Sequence, residues 1–267
     1  MKTWIMGDIH NNYKALKQCL ERSGFDYEKD HLIQLGDIVD GWNQTYEVVE
    51  ELLKIKNLTA LKGNHDHWFC EWLNRGEHPV HWMMGGEGTL KSYCKHSGRE
   101  YYPDNGGWRS NLTTFDIPQS HRDFFNNQKL YYIDDNRNCF VHGGFDRYQY
   151  MDLLQATQAD DFYWNRDLWK EAMHSKDKLY FVEMFNEVFI GHTATTNYSD
   201  IEVIKTKEGH VRSYGVPITK PMNGGGVWNL DTGAGFSGKL TIMNLETKEY
   251  FQSDKCSELY PDEKGRN

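Results

Sequence analysis

Five short polar segments, each closing an apolar run, constrain the fold of this chain more than any other feature. Thr3–Met6 runs into Gly7-Asp8-Ile9-His10, Leu32–Leu35 into Gly36-Asp37-Ile38-Val39-Asp40, and Leu58–Leu61 leads to Gly63-Asn64-His65-Asp66. Further along, Cys139–Val141 feeds His142-Gly143-Gly144, and Val188–Ile190 feeds Gly191-His192-Thr193. Short apolar runs bounded by turn residues read as buried strands. Each motif then lies just beyond a strand end, on the edge where open α/β sheets gather ligands. Helical spacing follows the first run, with Tyr13, Leu16 and Leu20 on one face of Asn12–Arg22 and Asn11 or Asn12 able to cap it. A second helix starts near Thr45 and keeps Val48, Val49, Leu52, Leu53 and Lys56 in period. Strand, loop, helix, strand in this rhythm predicts parallel pairing with right-handed crossovers.

The motifs supply carboxylate, carboxamide and imidazole donors and no thiolate, a set suited to Mn, Fe, Zn or Mg. There are more donors than one cation needs, which points to a two-metal site. Two cations about 3.5–4 Å apart are a recurring device for hydrolysing phosphate esters. The formal charge of −9 argues against an extended nucleic-acid surface. It does not exclude a phosphorylated substrate, because two divalent cations would outweigh Asp8 and Asp37 and attract anions locally.

The five cysteines are widely spaced with no CxxC pair, as expected for reduced thiols in a cytosol. Met1 to Met6 runs directly into the first motif, leaving no room for a signal peptide, and no stretch approaches the eighteen or so apolar residues of a membrane helix. The expectation is a soluble cytoplasmic protein with no membrane partner.

Residues 79–113 are rich in glycine and aromatics, including His81-Trp82-Met83-Met84-Gly85-Gly86 and Asn105-Gly106-Gly107-Trp108-Arg109. They read as an insertion of short helices and loops over the strand ends, since loops of this length are usually functional. A helix is expected over 118–128, and a hairpin from 130–133 and 139–141. Residues 227–230 and 240–244, bracketing Asp231-Thr232-Gly233-Ala234-Gly235, suit an antiparallel pair in a second sheet. Trp42, Trp82 and Trp108 are expected in core or lid packing, and Asp231 and Gly233 in structural roles. A single domain over 1–253 is expected, with a polar, frayed tail at 254–267.

In order, GDxH, GDxxD, GNHD, HGG and GH resemble the calcineurin-like metallophosphoesterases, in the phosphoprotein-phosphatase branch that includes lambda-type phosphatases and symmetrical diadenosine tetraphosphatases. Trp164-Asn165-Arg166, the His81-Trp82 to Gly85-Gly86 segment and Asp231-Thr232-Gly233-Ala234 extend the likeness over residues 3–245. The resemblance implies an α/β fold, a four-layer sandwich of two mixed β-sheets flanked by helices with the site at the strand C-terminal ends. It implies two divalent ions, Mn favoured. Asp8, His10 and Asp37 would hold one, and Asp37 would bridge to a second held by Asn64, His142 and His192. A bridging hydroxide would attack phosphorus in line, His65 would protonate the leaving group, and Asp40 would orient His65. Arg166, with Asn64, would bind substrate phosphate.

Two departures stand out. The family has arginine after the second motif's last aspartate, where this chain has Gly41-Trp42, and glycine where this chain has Asn11-Asn12. Arg109 or Lys62 is expected to replace the missing charge. The leading expectation is a phosphomonoesterase similar to Ser/Thr protein phosphatases, acting on a phosphoprotein or a small phosphate ester. The alternative is a nucleotide hydrolase or diesterase acting on dinucleoside polyphosphates, cyclic nucleotides or RNA ends. An inactive binding scaffold is disfavoured because every expected ligand is present.

Overall fold

Strands of three or four residues can bury both faces when each residue type alternates between two apolar layers, and this chain builds its centre that way. The computed structural model describes residues 1–77, 80–104, 107–145, 158–205 and 211–266. Pro79, Asn105 and Gly106 of the expected insertion lie outside the described residues, as does the side chain of His81.

The first half forms β1 (Thr3–Met6), α1 (Tyr13–Ser23), β2 (His31–Gln34), α2 (Thr45–Leu52), β3 (Asn57–Ala60) and α3 (Asn64–Arg75). After these come α4 (Gly86–Ser97), β4 (Tyr101–Asp104), β5 (Gly107–Ser110), α5 (Gln119–Asn126), β6 (Tyr131–Ile133) and β7 (Cys139–Val141). The second half contains α6 (Asp161–Trp164), α7 (Asp167–His174), β8 (Val188–Ile190), β9 (Ser199–Lys205) and β10 (Val211–Pro217). It closes with β11 (Met222–Gly224), β12 (Val227–Asn229), β13 (Thr241–Asn244), β14 (Tyr250–Gln252) and α8 (Cys256–Leu259).

Two mixed five-stranded sheets result, ordered β14-β13-β1-β2-β3 and β11-β12-β8-β7-β6. In the first, β1, β2 and β3 are parallel, as the crossover pattern predicts, and β13 joins β1 antiparallel. In the second, β7, β8 and β12 are parallel, with β6 and β11 antiparallel at the edges.

Alternation assigns the layers. Ile5, Ile33, Phe140, Phe189 and Met243 point between the sheets into a shared core, where Phe140 stacks on Phe189 at 5.1 Å. Trp4, Met6, Leu32 and Ile242 face the other way, onto the helical layer that includes Leu16, Leu20, Val48 and Leu52. Cys139, Val141, Val188 and Ile190 likewise face Phe162, Leu168, Trp169 and Ala172. The layers run helix, sheet, sheet, helix, as the resemblance implies.

Helix limits follow local chemistry. Asn12 caps α1 by accepting from Ala15 N at 3.0 Å, and Gly24 ends it in the left-handed region at φ 65°. The 79–113 segment contains a regular 12-residue helix, α4, and the β4–β5 hairpin.

Two expectations need correction. Residues 227–230 and 240–244 do not pair with each other: β12 pairs parallel with β8 in one sheet, and β13 pairs antiparallel with β1 in the other. The intervening turn carries the chain between sheets, so that Leu230 and Met243 meet in the shared core. Nor is the segment after 253 a frayed tail. Cys256 and Tyr260 are buried, Tyr260 stacks on Trp42 at 4.9 Å, and Arg266 N donates to Gly235 O at 2.7 Å. A polar average concealed these anchors. Among the described residues, no helix is long and apolar enough to cross a membrane.

Candidate metal centre

The motif loops are folded against one another by backbone bonds before any side chain is considered. Ile9 N and His10 N both donate to Asp37 O at 3.0 Å, and Asn11 N donates to Ile38 O at 2.8 Å. Gly191 N donates to His142 O at 2.9 Å. His10, Asn11, Asp37, Asp40 and His192 all sit at positive φ, between 50° and 69°. Outside the motif loops, only Arg137 and Lys248 among the described non-glycine residues do so. Such strain persists only where surroundings impose it, and it concentrates at functional sites. Gly36, at φ 100°, permits a contact that a side chain would block, since its Cβ would meet both Gly63 N and His142 Nδ1 at 2.7 Å.

Those turns deliver buried donors to one point. Ligand atoms of Asp8, His10 and Asp37 lie within 4.8 Å of one another, and so do those of Asp37, His142 and His192. Asp37 belongs to both groups. Its Oδ2 is 3.7 Å from His10 Nε2 and 3.4 Å from His142 Nε2, and Asn64 Oδ1 is 3.3 Å from the same His142 nitrogen.

The imidazoles are oriented for cation binding. His10 Nδ1 faces the carbonyls of Val39 and Asp40 at 3.1 and 3.0 Å, and His142 Nδ1 faces Leu35 O at 2.8 Å. Carbonyls only accept, so both rings donate from Nδ1 and aim Nε2 at the cluster, the arrangement metal-binding histidines use. His192 Nε2 is buried with no partner, while its backbone N–H donates to Asp8 Oδ2 at 3.1 Å. An orphaned imidazole nitrogen beside buried carboxylates fits a divalent ion, and the all N/O donor set fits Mn, Fe, Zn or Mg.

Charge reinforces this. Burial opposes the ionised form of Asp37, yet His142, His65 and His10 hold its carboxyl well below the usual range. Burial alone would depress His142, but Asp37 and Asp8 raise it to about 9. Burial, then Asp231, lifts Asp8 well above the usual range, as expected of clustered carboxylates short of positive charge.

His65 stands beside the cluster. Its Nδ1 is 2.8 Å from Asp40 Oδ2, and its Nε2 is buried without a partner. Asp40 Oδ1 accepts from Trp82 Nε1 at 2.9 Å and from Thr89 Oγ1 at 2.7 Å, which leaves Oδ2 for His65. Burial pushes Asp40 up to about 8, against the donors Thr89 and Trp82, and pushes His65 down to about 3. His65 N also donates to Asp37 Oδ1 at 2.9 Å, so the pair and the cluster share one scaffold. Asp66 supports that scaffold by accepting from Ile38 N, Gly63 N and Gln128 Nε2.

Arg166 Nη1 donates to His192 O at 3.0 Å and Thr193 Oγ1 at 3.1 Å, which anchors the guanidinium at the cluster's rim. Trp68 stacks edge-on to His65 at 4.7 Å and contacts Trp164 at 5.3 Å. Trp164 in turn lies 5.9 Å from His192, forming one aromatic wall.

Of the two cations expected to replace the missing arginine, one is exposed and the other turns to a thiol. Trp108 packs on Trp82 at 5.7 Å, and Arg109, the next residue on β5, is exposed. Lys62 Nζ turns to Cys70 Sγ at 3.5 Å. Thr89 and Arg266 were missed from the sequence: a threonine inside an amphipathic helix carries no signal, and Arg266 reaches His10 from 256 positions away.

A calcineurin-like phosphoesterase profile matches residues 1–210. Serine/threonine-protein phosphatase 1 of Salmonella typhimurium is 22% identical, spanning 91% of this chain and 91% of its own length. The symmetrical bis(5'-nucleosyl)-tetraphosphatase of Pseudomonas fluorescens is 25% identical, spanning 98% of this chain and 97% of its own. The solved metallophosphoesterase from Sphaerobacter thermophilus shares the fold, with a TM-score of 0.52 at 18% identity over 96% of this chain and 89% of that one. The chain belongs to the calcineurin-like phosphoesterase family. It is a metal-dependent enzyme that hydrolyses phosphoric ester bonds.

Proposed function

We propose that this enzyme is a two-cation phosphomonoesterase similar to the Ser/Thr protein phosphatases. The observation that carries this reading is the sharing of Asp37 between two ligand groups. Asp8, His10 and Asp37 would hold one ion, and Asp37, Asn64, His142 and His192 the other, with Mn the favoured metal. Bound there, the cations would supply an activated water and positive charge for in-line attack on phosphorus.

The chain's own residues account for the rest. Arg166, steadied by His192 O and Thr193 Oγ1, would bind non-bridging phosphate oxygens with its free edge, assisted by the Asn64 amide. His65 Nε2, the unpartnered nitrogen, would carry the proton delivered to the leaving oxygen. Asp40, fixed by Trp82 and Thr89, would hold Nδ1 so that Nε2 keeps its aim. The aromatic wall of Trp68 and Trp164 would limit water on one side. We assign this machinery to a single domain, expected over 1–253 and joined by the packed segment that follows, with 79–113 covering the site through Trp82 and Thr89, and the soluble cytoplasm as its place.

A second reading, hydrolysis of dinucleoside polyphosphates, draws on the Pseudomonas fluorescens relative. Substrate profiling with Mn separates the two. Faster turnover of p-nitrophenyl phosphate and a phosphopeptide than of diadenosine tetraphosphate or bis-p-nitrophenyl phosphate supports the monoesterase reading. The reverse order defeats it.

A further inference from the structure

We propose that Arg266, arriving from the C-terminal segment, is a second phosphate-binding cation of this site and stands in the place opened by Gly41. The inference rests on the reading above and deepens it, because it selects dianionic monoesters as the substrate class.

The guanidinium Nη1 lies 3.1 Å from His10 Nε2, the nitrogen aimed into the ligand cluster. The arginine stem runs through a passage lined by glycines. A Cβ on Gly41 would sit 3.4 Å from Arg266 Cγ, one on Gly85 would sit 3.1 Å from the same atom, and one on Gly235 would sit 3.1 Å from Cδ. The Gly235 methyl would also press on His10 Cδ2 at 2.5 Å. Gly41 directly follows Asp40, so the stem passes the position where the sequence lacks its expected arginine.

The approach is anchored rather than incidental. Arg266 N donates to Gly235 O at 2.7 Å, Gly265 lies against the Trp42 ring, and Tyr260 stacks on the same ring at 4.9 Å. The guanidinium carbon sits 5.2 Å from the Phe236 ring. Even so, its Nε is buried without a partner. A buried guanidinium nitrogen left unpaired beside a cluster of carboxylates and imidazoles is costly unless an anion completes it. His10 Nε2 cannot serve both a cation and Arg266, so with a cation there the guanidinium must turn to oxygens next to that ion.

Position also defines the substrate. Arg166 reaches the cluster beside His192, and Arg266 reaches it beside His10, so each planar cation stands next to a different ligand group. Two guanidiniums suit a terminal phosphate with two charges and three free oxygens. A diester offers one charge and two such oxygens.

The test uses full-length, Mn-loaded protein and the variants Arg266→Gln, Arg266→Lys and Arg266→Ala, with inorganic phosphate as the binding probe in calorimetry. Removing one charge-assisted, forked contact should weaken phosphate binding by roughly 10- to 100-fold in Arg266→Gln. The kcat/KM for p-nitrophenyl phosphate should fall by a similar factor, and that for bis-p-nitrophenyl phosphate by much less. Arg266→Lys should retain an intermediate affinity, and free guanidinium should restore part of the activity of Arg266→Ala, which a packing role would not do. Bound Mn should stay the same in all four proteins. Unchanged phosphate affinity in Arg266→Gln overturns the inference while leaving the two-cation reading intact, and so does a gain in Mn affinity and turnover, which would mark Arg266 as a plug. A wild-type protein that takes up no Mn and hydrolyses neither ester sinks both.

Discussion

Replacing Gly63 with alanine isolates the geometric requirement of the shared aspartate. Gly63 has φ −90°, which alanine adopts without strain, so any effect is steric. The added methyl would lie 2.1 Å from Asp37 Oδ1 and 2.2 Å from Asp37 N, where ordinary contact begins at 3.4 Å. One clashing atom is backbone, held by its own loop, and the other is a buried carboxylate accepting from His65 N at 2.9 Å. The Asp37 turn must therefore retreat by about 1 Å, an overpacking that costs about 1–3 kcal/mol. Because Asp37 belongs to both ligand groups, Mn affinity should fall at both positions, by ~100-fold or more if displacing a ligand is at least as harmful as losing an outer-shell partner. Gly76 is the matched control: it ends the same helix at φ 72° with nothing within 4 Å of its Cβ. Gly76→Ala should cost about 1 kcal/mol of stability through left-handed strain and leave Mn binding untouched. Calorimetric Mn titration with parallel thermal melts reads both quantities. If Gly63→Ala binds two Mn with wild-type affinity, the reasoning is wrong.

Other outcomes follow from the same structure. His65→Asn should lower kcat by about 10²–10⁴-fold while phosphate affinity and bound Mn hold steady, measured by steady-state kinetics with metal analysis. A loss confined to KM would remove His65 from proton transfer. Glu51, with a side chain only 2% exposed, is opposed by burial but bonded by Lys17, Lys54 and Tyr27, which together lower it to about 2. Its folded value lies below the unfolded one of about 4.3, so its contribution is present above that pH and fades as pH falls toward 2. Both lysines reach into solvent, so the contribution is about 1–2 kcal/mol. Glu51→Gln should therefore flatten the loss of stability between pH 4.5 and 2, as followed by urea melts across that window, and an unchanged slope counts against the assignment.

How much of this was legible in the sequence depends on whether the signal was local. The runs at Cys139–Val141 and Val188–Ile190 are continuous and apolar because both of their faces are buried, and the structure ends those strands where the runs end. The motif loops were visible for the same reason: a buried strand stops abruptly at polar residues that must do something else. Pairing was harder. Residues 227–230 and 240–244 look like an antiparallel pair, yet they join 188–190 and 4–6, and nothing within either segment encodes that choice. The Asp40 carboxylate shows the limit clearly. Its link to His65 was implied by the family resemblance, but Trp82, Thr89 and the C-terminal arginine converge on the region from 42 positions away or more. Composition also misled at the C-terminal segment, where Cys256, Tyr260 and Arg266 make the contacts and the polar residues around them do not.

Whether two cations share Asp37 is read most directly from crystals of the protein grown with Mn, by anomalous scattering. Two Mn peaks about 3.5–4 Å apart are expected. Asp37 should lie between them, with Asp8 and His10 on one and Asn64, His142 and His192 on the other. A single peak, or two peaks that do not share Asp37, would contradict it.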